Sequence, residues 1–405
     1  MNKTDEKDQA VHLPPVYNNA QKHAVFPNVS QDEKARFNFL TALQQHLAST
    51  VELGNKATFD KRVKPQSLAR TGRDFKTPEQ VGEAMSQDLY YQMWSALQRS
   101  AQEMIQQAGR SVVLRQIENL VEKVKQYNAQ RPETLSLDPS LAIPHYLTRV
   151  DHQCMPGGYH TEYIADDVTN AAVEEITGSL EIGKGSGLLS DGKRYAVVDW
   201  LKKNYPDFKP KRILDIGCGI GNNTLPLAVG YPEAEVVGID ASAVALRYAH
   251  ARATALKTPN VRFVQANAET LPVDNGSFDW VQSTMFLHTT SASAINAVVR
   301  ETYRVLTSGG LMLHVCPAPY PPGTSLFEQF MGNWETFNNN EPFLGVLHKM
   351  DQVEWMKSAG FLERNLLQFG LSVASNNDNK SQSLVDHSYG HGVLTAQNAF
   401  GAWKE

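Results

Sequence analysis

Residues 211–242 read KRILDIGCGIGNNTLPLAVGYPEAEVVGIDAS. A β-branched run leads into three closely spaced glycines, Gly217, Gly219 and Gly221, then a helical stretch, then a second β-branched run that ends in Asp240. That order predicts a strand, a sharp turn, a helix and a second, parallel strand. Glycine opens backbone conformations closed to other residues and lets a ligand approach the main chain. Open α/β sheets bind ligands beyond the carboxyl ends of their strands. A carboxylate at the end of the second strand can accept hydrogen bonds from both hydroxyls of a ribose. A nicotinamide or flavin fingerprint expects G-x-G-x-x-G, whereas these glycines run G-C-G-I-G with Asp215 ahead of them. A phosphate loop needs G-x-x-x-x-G-K-[ST], which is absent. A bare tight turn leaves Asp240 without a purpose.

The flanking sequence extends the pattern. The runs AEVVGID, VRFVQA, FDWVQS and LMLHV alternate with helical stretches, which predicts a mainly parallel sheet. Before residue 130 the character is different. Ser30 and Glu33 form a capping-box pattern, and Phe37, Leu40, Leu43, Leu47 and Val51 follow on one stripe. Residues 54–76 read as basic and irregular. Thr77, Pro78 and Gln80 start a helix whose stripe runs Val81, Met85, Leu89, Met93, Leu97, Ala101 and Met104 or Ile105, with Gly109 as its stop. Val113, Ile117, Leu120, Val121 and Val124 mark another. The Pro-punctuated stretch 130–144 reads as a linker. The chain of 405 residues is therefore expected to hold a polar arm (1–29), a helical domain (30–138) and an α/β domain (139–405), the last ending in a strand within GVLTAQNAFGAWKE.

Composition narrows the function. Lys and Arg total 38 against 43 Asp and Glu, a net charge of -5, which argues against a dedicated nucleic-acid binder. No apolar run approaches the roughly 18 residues of a membrane span. The start, MNKTDEKDQA, resembles neither a signal nor a transit peptide. Cys154, Cys218 and Cys316 are too few and too scattered for a disulfide framework or a zinc pattern. A cytoplasmic setting, no membrane and no nucleic-acid partner are the expectations.

L-D-I-G-C-G-I-G resembles the first motif of class I S-adenosylmethionine-dependent methyltransferases. The order continues with V-V-G-I-D-A-S, N-A-E-T-L-P (267–272), S-F-D-W-V-Q-S-T-M-F-L-H (277–288) and R-E-T-Y-R-V-L-T-S-G-G-L-M-L (300–313). The resemblance covers about 212–316, and is closest to the group of ubiquinone, sterol and natural-product methyltransferases. It implies a Rossmann-like seven-stranded, mostly parallel sheet with flanking helices, and S-adenosylmethionine as cofactor. By the same resemblance Gly217 and Gly219 meet the methionine and ribose, with Asp215 near the amino group. Asp240 holds the ribose, Ala241 packs beside the adenine, and Asn267 and Ala268 read its edge. Cys218, Asn223 and Ser283 join this set. Asn267 replaces the usual Asp, a weaker, uncharged acceptor.

Methyl transfer from a sulfonium is an in-line displacement, so a base is needed only when the nucleophile must lose a proton. No fixed triad is expected. His288 follows the fourth strand of the motif series. The segment DHQCMPGGYHTEYIADD (151–167) offers His152, His160, Tyr159 and Tyr163 as a lid over cofactor or substrate; its spacing matches no metal pattern. His160, His288 and His152 are the catalytic candidates, and Tyr163 a cofactor cap. Tyr320, Phe327, Phe330, Trp334, Phe337 and Phe343 suit a substrate wall in an insertion at 316–350. The N/D-P-P-Y signature of DNA-adenine and protein-glutamine methyltransferases is replaced by S-T-M-F. A small-molecule acceptor is the favoured expectation, with the helical region as lid or homodimer interface. A protein or RNA acceptor, or a scaffold that binds cofactor without transferring methyl, is the alternative.

Overall fold

The computed structural model describes residues 23–182, 195–317, 319–372 and 396–405. Most of the expected arm, and residues 392–395 of the expected last strand, lie outside the described residues. Eight strands form one sheet: β1 (Leu135–Ser136), β2 (Arg212–Ile216), β3 (Glu235–Asp240), β4 (Val261–Gln265), β5 (Phe278–Thr284), β6 (Leu306–Cys316), β7 (Leu366–Ser372) and β8 (Ala396–Trp403). Their order is β1-β4-β3-β2-β5-β6-β8-β7. Neighbours pair parallel except β8, which is antiparallel to β6 and β7. The strand beyond the expected seven is β1. It comes from the supposed linker and pairs with β4 at Leu135↔Phe263, held by the Arg131 guanidinium on the Thr258, Pro259 and Val261 carbonyls.

The β-branched runs become strands because both faces are covered. Successive side chains point to opposite sides, so Ile213, Val236 and Leu311 join one apolar cluster and their neighbours Leu214, Val237 and Met312 the other. The first half of the chain supplies α1 (Gln31–His46), α2 (Leu53–Thr58), α3 (Lys64–Thr71), α4 (Pro78–Met85), α5 (Leu89–Leu114) and α6 (Ile117–Asn128). After β1 come α7 (His145–Thr148), α8 (Thr169–Ile182) and α9 (Tyr195–Asn204). Between the strands lie α10 (Thr224–Gly230), α11 (Ala243–Ala255) and α12 (Ala292–Val305), then α13 (Leu326–Gly332), α14 (Trp334–Asn338), α15 (Leu344–Leu347) and α16 (Gln352–Ala359). A third cluster joins Phe37, Ile105, Val112 and Val121 to Val173 of α8 and to Val244, Tyr248 and Ala251 of α11. This core crosses residue 138.

Several helix expectations hold and several shift. Ser30 and Glu33 form the capping box of α1, and Thr77 caps α4 with Pro78 behind it. Residues 54–76, expected to be irregular, are largely helical, and Phe59 stacks on Phe327 at 4.9 Å. The stripe from Val81 does not continue in phase. Asp88 accepts a hydrogen bond from the Tyr90 amide and starts a new helix. The buried face of α5 is therefore Tyr91, Trp94, Ala101 and Ile105, while Leu89, Met93 and Leu97 are exposed. Gly109 does not stop α5. It admits α8, for a Cβ there would sit 2.8 Å from Thr177 Cγ2.

Candidate functional site

The strand order reverses direction at β2, which lies between β3 and β5. That is where an α/β sheet leaves a crevice. Gly217, Gly219 and Gly221 leave β2 with φ of 65°, 51° and 81°, the left-handed region that favours glycine. Space imposes a second demand at Gly217, where a Cβ would lie 2.2 Å from the Phe286 ring. The turn is tied to the neighbouring strand end. Asp240 accepts from the Gly219 amide and from the Ser242 amide, each at 2.9 Å. Burial pushes the Asp240 carboxyl up from its ordinary value, and these backbone donors pull against it.

A cavity of about 330 Å³ opens over these residues. Gly217, Cys218 and Gly219 line it beside Asp240 and Ala241; Asn267 and Ala268 follow β4, and Met285, Phe286 and His288 follow β5. Tyr146, Tyr159 and His160 close it from the segment ahead of α8, and Gln106 of α5 and Glu174 and Thr177 of α8 add the remaining wall. The segment 151–167 is fastened over the β3 end. The Ser242 hydroxyl donates to the Tyr159 carbonyl at 2.6 Å, and Arg247 donates to the Glu162 carboxylate at 2.8 Å.

Of the expected cofactor residues, Gly217, Cys218, Gly219, Asn223, Asp240, Ala241, Asn267 and Ala268 line this cavity. Asp215, Ser283 and Tyr163 do not. Asp215 is fully buried and accepts from the Thr224 hydroxyl at 2.7 Å. Ser283 points to the opposite side of β5 from Thr284, which does line the cavity, and pairs with His314 Nδ1 at 2.7 Å. Tyr163 donates its hydroxyl to the Pro156 carbonyl, and the Arg110 guanidinium lies 4.3 Å from its ring. Asn267 turns its side-chain oxygen to the Glu269 amide at 2.9 Å, which leaves one lone pair for a ligand.

Among the catalytic candidates His160 and His288 line the cavity, and burial moves the His160 imidazole down. His152 lies behind the wall, fully buried, with the Tyr159 and Phe343 rings at 5.9 Å and 6.3 Å. None of the described residues of 316–350 lines the cavity. Of the aromatics expected as its wall, Phe337 is 77% exposed and the others pack elsewhere. Phe327, Phe330 and Trp334 join Phe59, Tyr91 and Trp94 in one cluster, and Trp334 Nε1 donates to Ser95. Phe343 reaches the rear of the site through His152 and Tyr146. Sequence reasoning missed Glu174 and Tyr146. Glu174 sits 3.7 Å from where a Gly219 Cβ would be, on a helix with no motif. Tyr146 donates its hydroxyl to Glu269 at 3.1 Å.

Carboxylates beside a glycine turn and an exposed backbone suit a ligand that carries both hydroxyls and a cationic group. The family model described as "Methyltransferase domain" matches residues 213–310. The chain is 32% identical over 198 residues to the demethylmenaquinone methyltransferase of Lactococcus lactis, covering 47% of this chain and 76% of that one. It is 31% identical to the malonyl-[acyl-carrier protein] O-methyltransferase of Legionella pneumophila, over 33% of this chain and 44% of that protein. A solved structure of a putative S-adenosyl-L-methionine-dependent methyltransferase from Methanococcus maripaludis aligns at a TM-score of 0.40 with 12% identity, covering 61% of this chain and 98% of that chain. Motifs, sheet order and relatives agree: the chain belongs to the class I S-adenosylmethionine-dependent methyltransferases, an enzyme whose cofactor is S-adenosylmethionine.

Proposed function

We propose that this enzyme methylates a small molecule, and that the cavity holds cofactor and acceptor together. The observation that carries this reading is the second wall of the site, opposite the sheet edge. Tyr146, Tyr159, His160, Gln106 and Thr177 line the cavity together with the sheet edge, and cofactor and acceptor share its volume of about 330 Å³. Enclosure of this size suits a compact ligand. The helical region acts as the roof, since α5 supplies Gln106 and packs on α8 at Gly109. The relative named a demethylmenaquinone methyltransferase supports the same class.

In this reading Asp240 takes the ribose hydroxyls, Asn267 and Ala268 the adenine edge, and the Gly217 and Gly219 backbone the methionine. Glu174 meets the methionine ammonium. The bound cofactor supplies an electrophilic methyl on sulfur. His288 and His160 stand at the acceptor end, and the roof excludes water, which strengthens each electrostatic contact inside. The test is transfer of tritium from S-[methyl-³H]adenosylmethionine to a panel of small phenols, enols, carboxylates, thiols and amines, with bulk tRNA and ribosomal protein in parallel. Label in a small acceptor supports the proposal. Label confined to tRNA or protein overturns it.

A further inference from the structure

Behind the cavity wall lies a buried carboxylate between two imidazoles. Glu341 is 2% exposed and belongs to the loop between α14 and α15. His152 Nδ1 stands 3.7 Å from its Oε2, and His288 Nε2 stands 3.9 Å from its Oε1. Both separations are too long for hydrogen bonds and short enough for ion pairing. Both His152 ring nitrogens, His288 Nδ1 and Glu341 Oε2 are buried without a hydrogen-bond partner among the described residues. Burying a carboxylate costs several kcal/mol unless a cation or strong donors compensate it. Here the nearest compensating groups are the two histidines, one of which lines the cavity.

The surrounding loops are built to hold this arrangement. Asn340 donates to the Asp151 carbonyl at 3.0 Å, and Arg99 of α5 donates to the Asn338 carbonyl at 2.6 Å and to Asn340 Oδ1 at 3.3 Å. Cys154 Sγ lies 3.6 Å from Asn339 Oδ1. Asn340, Gln153 and Cys154 have φ of 53°, 52° and 57°, a conformation that costs roughly 1 kcal/mol or more in such residues. Other titratable groups face the cluster. Cys154 and Asp151 lie on the His152 side, and His160 stands near His152. His348 stands near His288 and shares a hydrogen bond with the Tyr320 hydroxyl at 2.9 Å. Burial, with His288 adding to it, pushes His348 down to about 4, so it brings no positive charge of its own at neutral pH. Among the described residues no group of three His, Cys, Asp or Glu is set to hold a metal ion.

We infer that Glu341 is a positioning residue that makes His288 the general base, and that the acceptor is therefore a hydroxyl or enol that must lose a proton as it is methylated. This rests on the small-molecule reading above. The acceptor O–H proton passes to the His288 imidazole. The freed electron pair forms the bond to the methyl carbon, while the carbon–sulfur bond breaks and its pair returns to sulfur, leaving S-adenosylhomocysteine. Glu341 balances the imidazolium charge until the proton leaves to water, and His152 holds the other Glu341 oxygen.

The experiment uses the full chain with two probes of one shape, 2-naphthol and 2-naphthalenethiol, at mildly alkaline pH, where the first is neutral and the second is already an anion. Glu341→Gln should lower kcat for the naphthol about 100-fold and for the thiolate by less than about threefold, with S-adenosylhomocysteine affinity within about twofold of the parent. Glu341→Asp should restore part of the naphthol rate. If Glu341→Gln does not fold, His288→Asn gives the same split. Equal losses for both probes, or none, overturn the inference. Transfer to the thiol, carboxylate or amine members of the panel with none to hydroxyls or enols overturns it too, and leaves the small-molecule reading standing. Failure of the whole panel with cofactor binding intact overturns both.

Discussion

Gly217 carries two constraints at once, a left-handed backbone and contact with Phe286. Gly217→Ala should weaken S-adenosylhomocysteine binding at least tenfold in calorimetry. Gly217→Ala combined with Phe286→Ala should recover part of that loss, because the clash goes while the backbone strain of about 1–2 kcal/mol stays. Equal affinity for the parent and Gly217→Ala would refute this account of the turn. These glycines could be read from sequence because a turn is a local demand. Asp215 and Ser283 could not be placed the same way. They sit on strands whose side chains alternate between cavity and core, and Ser283 faces His314 rather than a ligand.

Elements meet at Glu175. This fully buried carboxylate on α8 takes His23 Nε2 at 2.9 Å and Arg252 Nε at 2.8 Å, and accepts from the Tyr248 hydroxyl, both of the latter from α11. Burial alone would push its carboxyl up; His23, Arg252 and Tyr248 outweigh that and hold it down at about 2. A carboxyl lowered on folding stabilises the protein above its unfolded value, and the benefit fades as pH falls toward the folded value. Glu175→Gln removes the buried carboxylate that Arg252 and His23 both meet and should cost about 3–5 kcal/mol in urea unfolding at neutral pH. A loss below about 1 kcal/mol would contradict the reading. His23 belongs to the stretch expected to be a polar arm, and the sequence held no sign of its partner on α8. The α5 phase was hidden for a related reason. Asp88 restarts the helix, so a stripe read straight through from Val81 lands on the exposed Leu89, Met93 and Leu97.

At the scale of the molecule, three buried histidines set the acid limit. Burial pushes His250, His314 and His348 down to about 4, about 3 and about 4. Each is neutral when folded, while the unfolded chain takes up its proton near the ordinary value of about 6.5. As pH falls from there to about 4, the unfolded state binds more protons, so each histidine removes about 1.4 kcal/mol of stability per pH unit. Thermal denaturation between these limits should show this slope, and His314→Gln should make it shallower; an unchanged slope would refute the assignment. The α/β layering and the glycine cradle could be read from sequence, because they follow from short local patterns. The Glu341 cluster could not, because it joins loops far apart in the chain.

The most direct measurement is calorimetric titration of S-adenosylhomocysteine into the parent enzyme and into Asp240→Ala. The account predicts micromolar binding to the parent and a loss of about 1–3 kcal/mol in the variant, from removal of a charged acceptor. Equal affinity for both would place the cofactor somewhere other than the β3 end and contradict the site.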